Sequence, residues 1–160
     1  MNMLEKKTIS NIKVRDATIN DLEEIQRIER LSFKYPYPTY YMKALLEGLA
    51  DFFLVAEIKP KGGIIGYVVA RIERNSMGHV ISIAVDPSWR NRGIGSLLMK
   101  EAIKKLKDAG CLIVFLEVRV SNAPAISLYK KLGFKITERI VGYYRDGEDA
   151  FIMVKDIGTS

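Results

Sequence analysis

Two kinds of hydrophobic pattern alternate along the chain. Apolar residues spaced three and four apart predict four helices, over residues 20–31, 39–49, 93–109 and 122–133. Alternating or continuous apolar runs predict seven strands, over residues 8–17, 51–58, 64–74, 78–85, 111–120, 134–144 and 149–157. The order is one strand, two helices, three strands, a helix, a strand, a helix and two strands. This order predicts a mixed α/β domain.

Residues at the predicted helix ends and in one strand refine this expectation. Asn20 with Glu23 resembles a capping box for the first helix, and Asn122 is placed to cap the last one. Gly110 and Gly133 follow the last two helices, as expected of C-caps. The strand at 111–120 is almost continuously apolar, which predicts a central strand covered on both faces.

The composition narrows the class of protein. The 160 residues suffice for one domain with a sizeable core, and no apolar run is long enough to cross a membrane. The first residues lack the apolar segment of a signal peptide, so a cytoplasmic location is expected. Cys111 is the only cysteine and His79 the only histidine, which excludes an internal disulfide and argues against a zinc site. No metal is therefore expected.

The net charge of +6 permits a nucleic-acid partner, so a basic nucleic-acid-binding module is one hypothesis for the function. The lysines and arginines, however, are spread along the chain and interleaved with acids, and no groove-reading motif is present. A basic surface also suits a smaller polyanion, such as a phosphorylated cofactor. The charge by itself does not decide between these partners.

The segment WRNRGIGSLLM, residues 89–99, brings two arginines and two glycines to the start of a predicted helix. The first N–H groups of a helix and its dipole attract anions, and glycine lets a phosphate approach the backbone closely. The alternative is a helix that needs glycine for close packing. Leu98 stands where a dinucleotide-binding fingerprint has its third glycine, and no Walker motif is present. Neither a dinucleotide nor a nucleoside triphosphate is therefore well supported.

The sequence RNRGIG resembles the Arg/Gln-x-x-Gly-x-Gly/Ala signature of the GCN5-related N-acetyltransferases, the GNAT family. The resemblance continues through SIAVDPSWRNRGIGSLLMKEAIKKL, LEVRVSNAPAISLYKKLGF and GYYRDGEDAFIM, from Gly78 to Met153. Within the family, the chain is most similar to the protein N-terminal acetyltransferases of archaeal Ard1 and bacterial RimI type. The resemblance implies one GNAT domain over residues 1–160, with a single mixed, mostly antiparallel sheet, a splayed parallel strand pair and about four helices.

The resemblance also implies acetyl coenzyme A (acetyl-CoA) as the cofactor. In the family, the strand before the glycine loop pairs through its backbone with the pantetheine arm, and the loop wraps the pyrophosphate. The residues assigned to the cofactor in this way are Ile83, Ala84, Val85, Arg90, Asn91, Arg92, Gly93, Ile94, Gly95, Ser96, Asn122, Tyr129, Lys130 and Lys131. Two of them have alternative interpretations, since Asn122 can act as a helix cap and Tyr129 can be an aromatic residue of an amphipathic helix.

The implied reaction is direct attack of an amine on the acetyl thioester, with Glu117, His79 and Tyr129 as the catalytic residues. A free α-amine with a pKa near 8 costs about 1 kcal/mol to deprotonate at pH 7, whereas lysine costs roughly 4–5 kcal/mol. A modest base, Glu117 or His79, therefore suffices, and Tyr129 would protonate the departing thiolate. The alternative for Glu117, a carboxylate in an apolar strand, is an ion pair with Arg119 or another arginine. A backbone N–H of Ile83 or Ala84 would stabilise the oxyanion.

The substrate implied by the resemblance is a protein or peptide N-terminus, such as that of a nascent chain or ribosomal protein. Tyr35, Tyr37, Tyr143 and Tyr144 are the candidates to line the peptide slot. Some archaeal relatives carry an acidic residue in the first loop, where this chain has Lys34 and Tyr35, so the accepted N-terminal residue is open. Acetylation of a lysine or a small amine is the alternative function for the same fold.

Overall fold

The computed structural model describes residues 11–60 and 62–158, and confirms the predicted order of elements. The strands within this part of the chain are β1 Ile12–Asp16, β2 Phe52–Ile58, β3 Gly63–Glu73, β4 Met77–Val85, β5 Ile113–Arg119, β6 Lys135–Ile140 and β7 Ala150–Asp156. The α-helices are α1 Leu22–Ser32, α2 Thr39–Ala44, α3 Ile94–Asp108 and α4 Ala123–Lys131. A π-helical turn, Leu45–Leu49, extends α2. The start of the first predicted strand, residues 8–10, lies outside the described residues.

The seven strands form one mixed sheet in the order β1-β2-β3-β4-β5-β7-β6. The pair β4 and β5 is parallel, whereas β1–β2, β2–β3, β5–β7 and β6–β7 are antiparallel. A parallel pair needs a long crossover, and α3 provides it between β4 and β5. The single mixed sheet with one parallel pair confirms the predicted fold class. None of the described helices is long and apolar enough to cross a bilayer.

The chain packs as two compact units. The first contains the described part of Met1–Arg71 together with Ile81–Ala102. Helices α1 and α2 cover its strands with an apolar core, because their inward positions repeat at helical spacing. The core residues are Ile25, Ile28, Met42, Leu45, Phe53, Val55, Ile64, Tyr67, Val69 and Ala84.

The second unit contains Ile72–Val80 and the described part of Ile103–Ser160. Its central strand β5 alternates between a buried face, with Val114, Leu116 and Val118, and a face that is half-buried at Glu117 and Arg119. The strand is central, as predicted, and one of its faces is fully buried while the other is covered in part. The second face carries polar side chains that bond to other strands and loops, as described below.

The helix ends agree with the predictions in three places and differ in one. Asn122 caps α4, because its Oδ1 accepts a hydrogen bond from the N–H of Ala125 at 3.3 Å. Gly110 and Gly133 each adopt φ 96°, a left-handed conformation that ends a helix and that glycine tolerates best. The capping box at the first helix lies two residues earlier than predicted, at Thr18 and Asp21, because a 3₁₀ turn over Ile19–Asp21 precedes α1.

Candidate active site

The glycine loop between β4 and α3 exposes backbone donors, as the sequence predicted. Gly93 adopts φ 82° and Asn91 φ 63°, so the chain makes a tight left-handed turn before the helix. The N–H of Leu97 makes the first helical bond, to the carbonyl oxygen of Gly93 at 3.0 Å, so the N–H groups at 94–96 precede the helical ladder. The side chains of Arg90 and Arg92 are exposed beside these donors. This arrangement fits a pyrophosphate group.

Contacts within the first unit hold the loop in place. The Arg90 guanidinium donates from Nε to the carbonyl oxygen of Val85 at 3.0 Å, and from Nη2 to Ser32 Oγ at 3.1 Å. The Arg92 guanidinium lies over the Trp89 ring, 4.9 Å from its centroid. Arg90 therefore fixes the distance between the end of β4 and the loop, and keeps a positive charge at the helix start.

The strand before the loop continues beyond its parallel partner. The register of β4 with β5 contains the pairs Met77–Ile113, Gly78–Val114 and His79–Phe115, and β4 runs on to Val85. Ile83 and Val85 are half-buried and Ala84 is buried. Within the described part of the chain, the register with β5 stops at His79, so the edge of β4 beyond it fits an extended amide-containing arm, such as pantetheine, through main-chain hydrogen bonds. Loop and strand together therefore fit acetyl-CoA.

His79 and Glu117 form a hydrogen-bonded pair in the second unit, although 38 residues separate them in the sequence. The His79 Nε2 atom lies 2.8 Å from Glu117 Oε1, within hydrogen-bond distance, and the tautomer of the imidazole sets which atom donates. The imidazole stacks on the Phe115 ring, with centroids 4.4 Å apart and planes 4° from parallel. Glu73 Oε1 lies 3.7 Å from the other ring nitrogen, Nδ1. The imidazole is thus placed between two carboxylates, an arrangement that can pass a proton along.

Tyr143 extends this pair. Its hydroxyl donates a hydrogen bond to Glu117 Oε1 at 3.4 Å, and its ring is 46% exposed. Burial, with the nearby Glu117 carboxylate as a further cause, raises the pKa of Tyr143 above its ordinary value. The hydroxyl therefore stays protonated and donates towards the carboxylate. Of the predicted site residues, the structure brings His79, Glu117 and Tyr143 together.

Arg119 pairs with two other carboxylates rather than with Glu117, so the first form of the alternative that the sequence left open is not observed. Its Nη1 atom donates to Glu148 Oε1 at 2.8 Å and to Asp146 Oδ2 at 3.0 Å. The guanidinium also lies over the Tyr144 ring, 4.1 Å from its centroid. Arg119 thus holds the turn between β6 and β7, and leaves the Glu117 carboxylate to His79 and Tyr143.

Helix α4 carries the remaining residues predicted near the cofactor. Tyr129 is 7% exposed, and its ring packs against Phe134 with centroids 6.0 Å apart. Burial raises the pKa of Tyr129 to about 12. Its hydroxyl makes no hydrogen bond within the described residues, so it is free to donate. Lys130 and Lys131 are exposed, and both interpretations of Asn122 stay open because the cap leaves its side-chain amide nitrogen unused.

A buried polar cluster in the first unit escaped the sequence-based reasoning. Glu29 of α1 is 1% exposed and accepts hydrogen bonds from the Tyr67 hydroxyl and from Ser82 Oγ at 3.3 Å. Burial raises the pKa of Glu29 above its ordinary value. The signal was present in the sequence, since Glu29 lies four residues after Ile25 on the apolar face of the helix.

The other predicted substrate residues lie in the segment between α1 and α2. Tyr35 is 39% exposed, with the Lys34 ammonium 5.6 Å from the centroid of its ring. Tyr37 is half-buried, and its ring packs against Tyr41 with centroids 5.0 Å apart. Both rings are accessible enough to contact a ligand.

A mixed sheet with one parallel pair, an anion-binding loop after β4 and a histidine–glutamate pair define a coenzyme A-dependent acyltransferase. Comparison with known sequences agrees with this class. The profile of the acetyltransferase (GNAT) family matches residues 22–134. An N-alpha-acetyltransferase of Sulfurisphaera tokodaii is 39% identical over an alignment of 165 positions, gaps included. The alignment covers 96% of this chain and 98% of that protein.

Solved structures give the same result. Ard1 from Thermoplasma volcanium superposes with a TM-score of 0.87 at 29% identity, over 92% of this chain and 98% of that one. The ribosomal-protein-S18-alanine N-acetyltransferase from Escherichia coli superposes with a TM-score of 0.83 at 27% identity, over 93% and 96% of the two chains. The chain belongs to the GNAT family of acetyltransferases, which confirms the family, the enzyme class and the acetyl-CoA cofactor predicted from the sequence.

Proposed function

We propose that this protein transfers the acetyl group of acetyl-CoA to the α-amino group of protein N-termini. The N-alpha-acetyltransferase activity of relatives that match nearly the whole chain supports this function. The observation in the structure that carries it is the 2.8 Å contact between His79 Nε2 and Glu117 Oε1. A histidine–carboxylate pair provides the modest base that an α-amine requires. A lysine side chain has a higher pKa and would need a stronger base.

Each part of the chain has a role in this proposal. Acetyl-CoA supplies the acetyl thioester. The N–H groups that begin α3, with Arg90 and Arg92, would hold the pyrophosphate, and the backbone of Ile83–Val85 would align the pantetheine arm. Asn122 is the proposed contact to the thiol end, and Lys130 and Lys131 would add positive charge for the cofactor.

Proton movement in the proposal involves three side chains. Glu117 takes a proton from the α-ammonium group, directly or through water. His79, which is hydrogen-bonded to Glu117, can accept part of the positive charge that the pair gains with this proton. With acetyl-CoA bound, the neutral amine would attack the thioester carbon, so that the C–N bond would form and the C–S bond would break. The second proton that the nitrogen loses would balance the proton that the coenzyme A thiolate gains. Tyr129 donates from its hydroxyl to the departing thiolate, while a backbone N–H of Ile83 or Ala84 stabilises the oxyanion.

The proposed substrates are peptide N-termini, including those of ribosomal proteins and nascent chains. The Escherichia coli structure similar to this chain is a ribosomal-protein-S18-alanine N-acetyltransferase, so an N-terminal alanine belongs in the first substrate set. Tyr35, Tyr37, Tyr143 and Tyr144 are the proposed contacts to the peptide. Tyrosine provides a large, rigid surface and one hydrogen bond, which suits a peptide backbone.

Mass spectrometry of two peptides incubated with the protein and acetyl-CoA tests the proposal. One peptide has a free N-terminus and methylated lysines, and the other has a blocked N-terminus and one free lysine. We expect an acetyl group on the first peptide only. Acetylation of the second peptide alone would make the protein a lysine acetyltransferase, and reaction of neither would favour a small amine as the substrate.

A further inference from the structure

The segment Pro36–Tyr37–Pro38 between α1 and α2 is held through the main chain of its central residue. Proline has no N–H, so Tyr37 carries the only backbone donor of the three residues. That N–H donates to Glu29 Oε2 at 3.0 Å. The carbonyl oxygen of Tyr37 accepts a hydrogen bond from Gln26 Nε2 at 2.7 Å. Two side chains of α1 therefore hold both main-chain polar groups of one loop residue.

The two side chains are suited to this task by their position. Gln26 and Glu29 are three residues apart and lie on one face of α1, where they are 3% and 1% exposed. A held loop residue loses the freedom to reorient, because both of its main-chain polar groups are bonded to side chains that are themselves buried. Residue 37 is thus held by α1 through its main chain.

Glu29 connects the loop to two strands as well. Its Oε1 atom accepts hydrogen bonds from the hydroxyl of Tyr67 in β3 and from Ser82 in β4. Ser82 immediately precedes Ile83, the first of the three residues proposed to align the pantetheine arm. The Glu29 carboxylate thus fixes residues 33–38, the substrate loop of the proposal, relative to β4, the strand proposed to bind the cofactor. All of these residues belong to the first unit.

This arrangement carries a cost in stability. Within the described residues, Gln26 Oε1 is buried and has no hydrogen-bond partner. No cationic side chain there forms a salt bridge with Glu29, whose carboxylate is buried. Burying an unsatisfied acceptor or a carboxylate without a cation is unfavourable. Such a cost is typical of residues that serve function rather than packing.

We infer that Gln26 and Glu29 are positioning residues that set the shape of the substrate loop, and so decide which N-terminal side chain the enzyme accepts. The inference rests on the proposed function. Tyr35 and the Tyr37 ring, which are the proposed contacts to the peptide, belong to the loop whose backbone the two side chains hold. If the backbone at Tyr37 is released, the slot adapts to more side chains and discriminates less between them.

The test compares the wild type with Gln26→Met and Glu29→Gln on peptides that differ only in their first residue. Gln26→Met keeps the side-chain length, but removes the donor to Tyr37 and the unsatisfied Oε1 atom. The readout is the ratio of kcat/KM between the best and the worst peptide, together with KM for acetyl-CoA and Tm. We expect the ratio to shrink by about tenfold in each variant, the effect of one lost hydrogen bond. KM for acetyl-CoA should stay the same in Gln26→Met, because Gln26 contacts the loop and Glu29 also contacts Ser82 of β4. For Gln26→Met, Tm should change little, because the unsatisfied Oε1 atom is removed while the Tyr37 carbonyl oxygen loses its donor.

Glu24→Gln is the matched control, since Glu24 lies on the same helix with its side chain 49% exposed, and it should leave the ratio unchanged. An unchanged ratio in Gln26→Met would overturn the inference, and this variant decides alone if Glu29→Gln does not fold. A wild type that acetylates none of the N-terminal peptides would instead contradict the proposed function. The two failures are therefore distinguishable.

Discussion

The substitution Tyr129→Phe separates the proposed chemistry from the packing of α4. The ring of Tyr129 is buried against Phe134, and phenylalanine keeps that contact. The hydroxyl has no hydrogen-bond partner within the described residues, so its removal breaks no bond in the free enzyme. We therefore expect the free energy of unfolding to change by less than about 0.5–1 kcal/mol, below the contribution of a typical hydrogen bond.

The expected effect on catalysis follows from the pKa of Tyr129. That pKa is raised to about 12 by burial, whereas a thiol has a pKa of about 8.5. Complete proton transfer to a thiolate is then uphill by about 3.5 pKa units, roughly 5 kcal/mol. The hydroxyl acts mainly as a hydrogen-bond donor to the developing charge, an interaction worth about 1.5–3 kcal/mol. Its loss should lower kcat by about 10- to 150-fold.

The assay measures kcat and KM at saturating peptide, with release of free thiol as the signal. We expect KM for acetyl-CoA to stay constant, and the pH–rate profile of the wild type to show no limb from Tyr129 up to about pH 10, because the hydroxyl stays protonated there. Tyr40→Phe is the matched control, since Tyr40 is 78% exposed. A kcat within threefold of wild type in a folded Tyr129→Phe protein would refute the role of donor. A loss above about a thousandfold would show that full proton transfer is required.

Three further predictions address the base, the buried carboxylate and the packing of β4. Glu117→Gln should lower kcat by about 10²–10⁴. The remaining rate should rise about tenfold per pH unit up to pH 8, because the α-amine then loses its proton to water rather than to Glu117. Glu138→Gln, at an exposed site, is the control. Because the pKa of Glu29 is raised in the folded state, the stability it contributes is present at low pH and is lost as the pH rises through that pKa. Urea denaturation should therefore show the wild type losing stability relative to Glu29→Gln as the pH rises above the ordinary glutamate pKa of about 4.3. A difference that stays constant with pH would contradict the assignment. In Gly78→Ala, the new Cβ would lie 2.8 Å from Leu106 Cδ1. The variant should unfold at lower temperature by an amount equivalent to about 1–3 kcal/mol, with kcat for the folded fraction unchanged.

Most of the fold could be predicted from the sequence, because each element depends on a local pattern. Periodicity placed the helices and strands within a few residues, and the glycines at 93, 110 and 133 stand where the backbone is left-handed. The capping box was misplaced because Thr18 and Asp21 offered the same chemistry two residues earlier. The sequence offers two pairs of residues that could form the box, and only the 3₁₀ turn before α1 decides between them.

The family signature also lies in a short stretch of sequence, so the acetyltransferase class, the cofactor and the three catalytic candidates followed from it. Which side chains meet did not. His79 and Glu117 are paired because the parallel register sets His79 beside Phe115, and strand geometry then brings the neighbouring carboxylate within 2.8 Å. The ion pair of Glu117 with Arg119, which was open from the sequence, is replaced by the bonds of Arg119 to Glu148 and Asp146.

The buried cluster around Glu29 also combines a feature that the sequence determines with contacts that only the tertiary structure decides. The sequence by itself determined that this residue lies on the apolar face of α1, since helical periodicity is a property of neighbouring positions. Only the tertiary structure decided that Tyr67, Ser82 and the backbone of Tyr37 surround its carboxylate, 8 to 53 residues away along the chain. Such contacts depend on how helices and strands pack, and a long-range hydrogen bond leaves no periodic trace in the sequence.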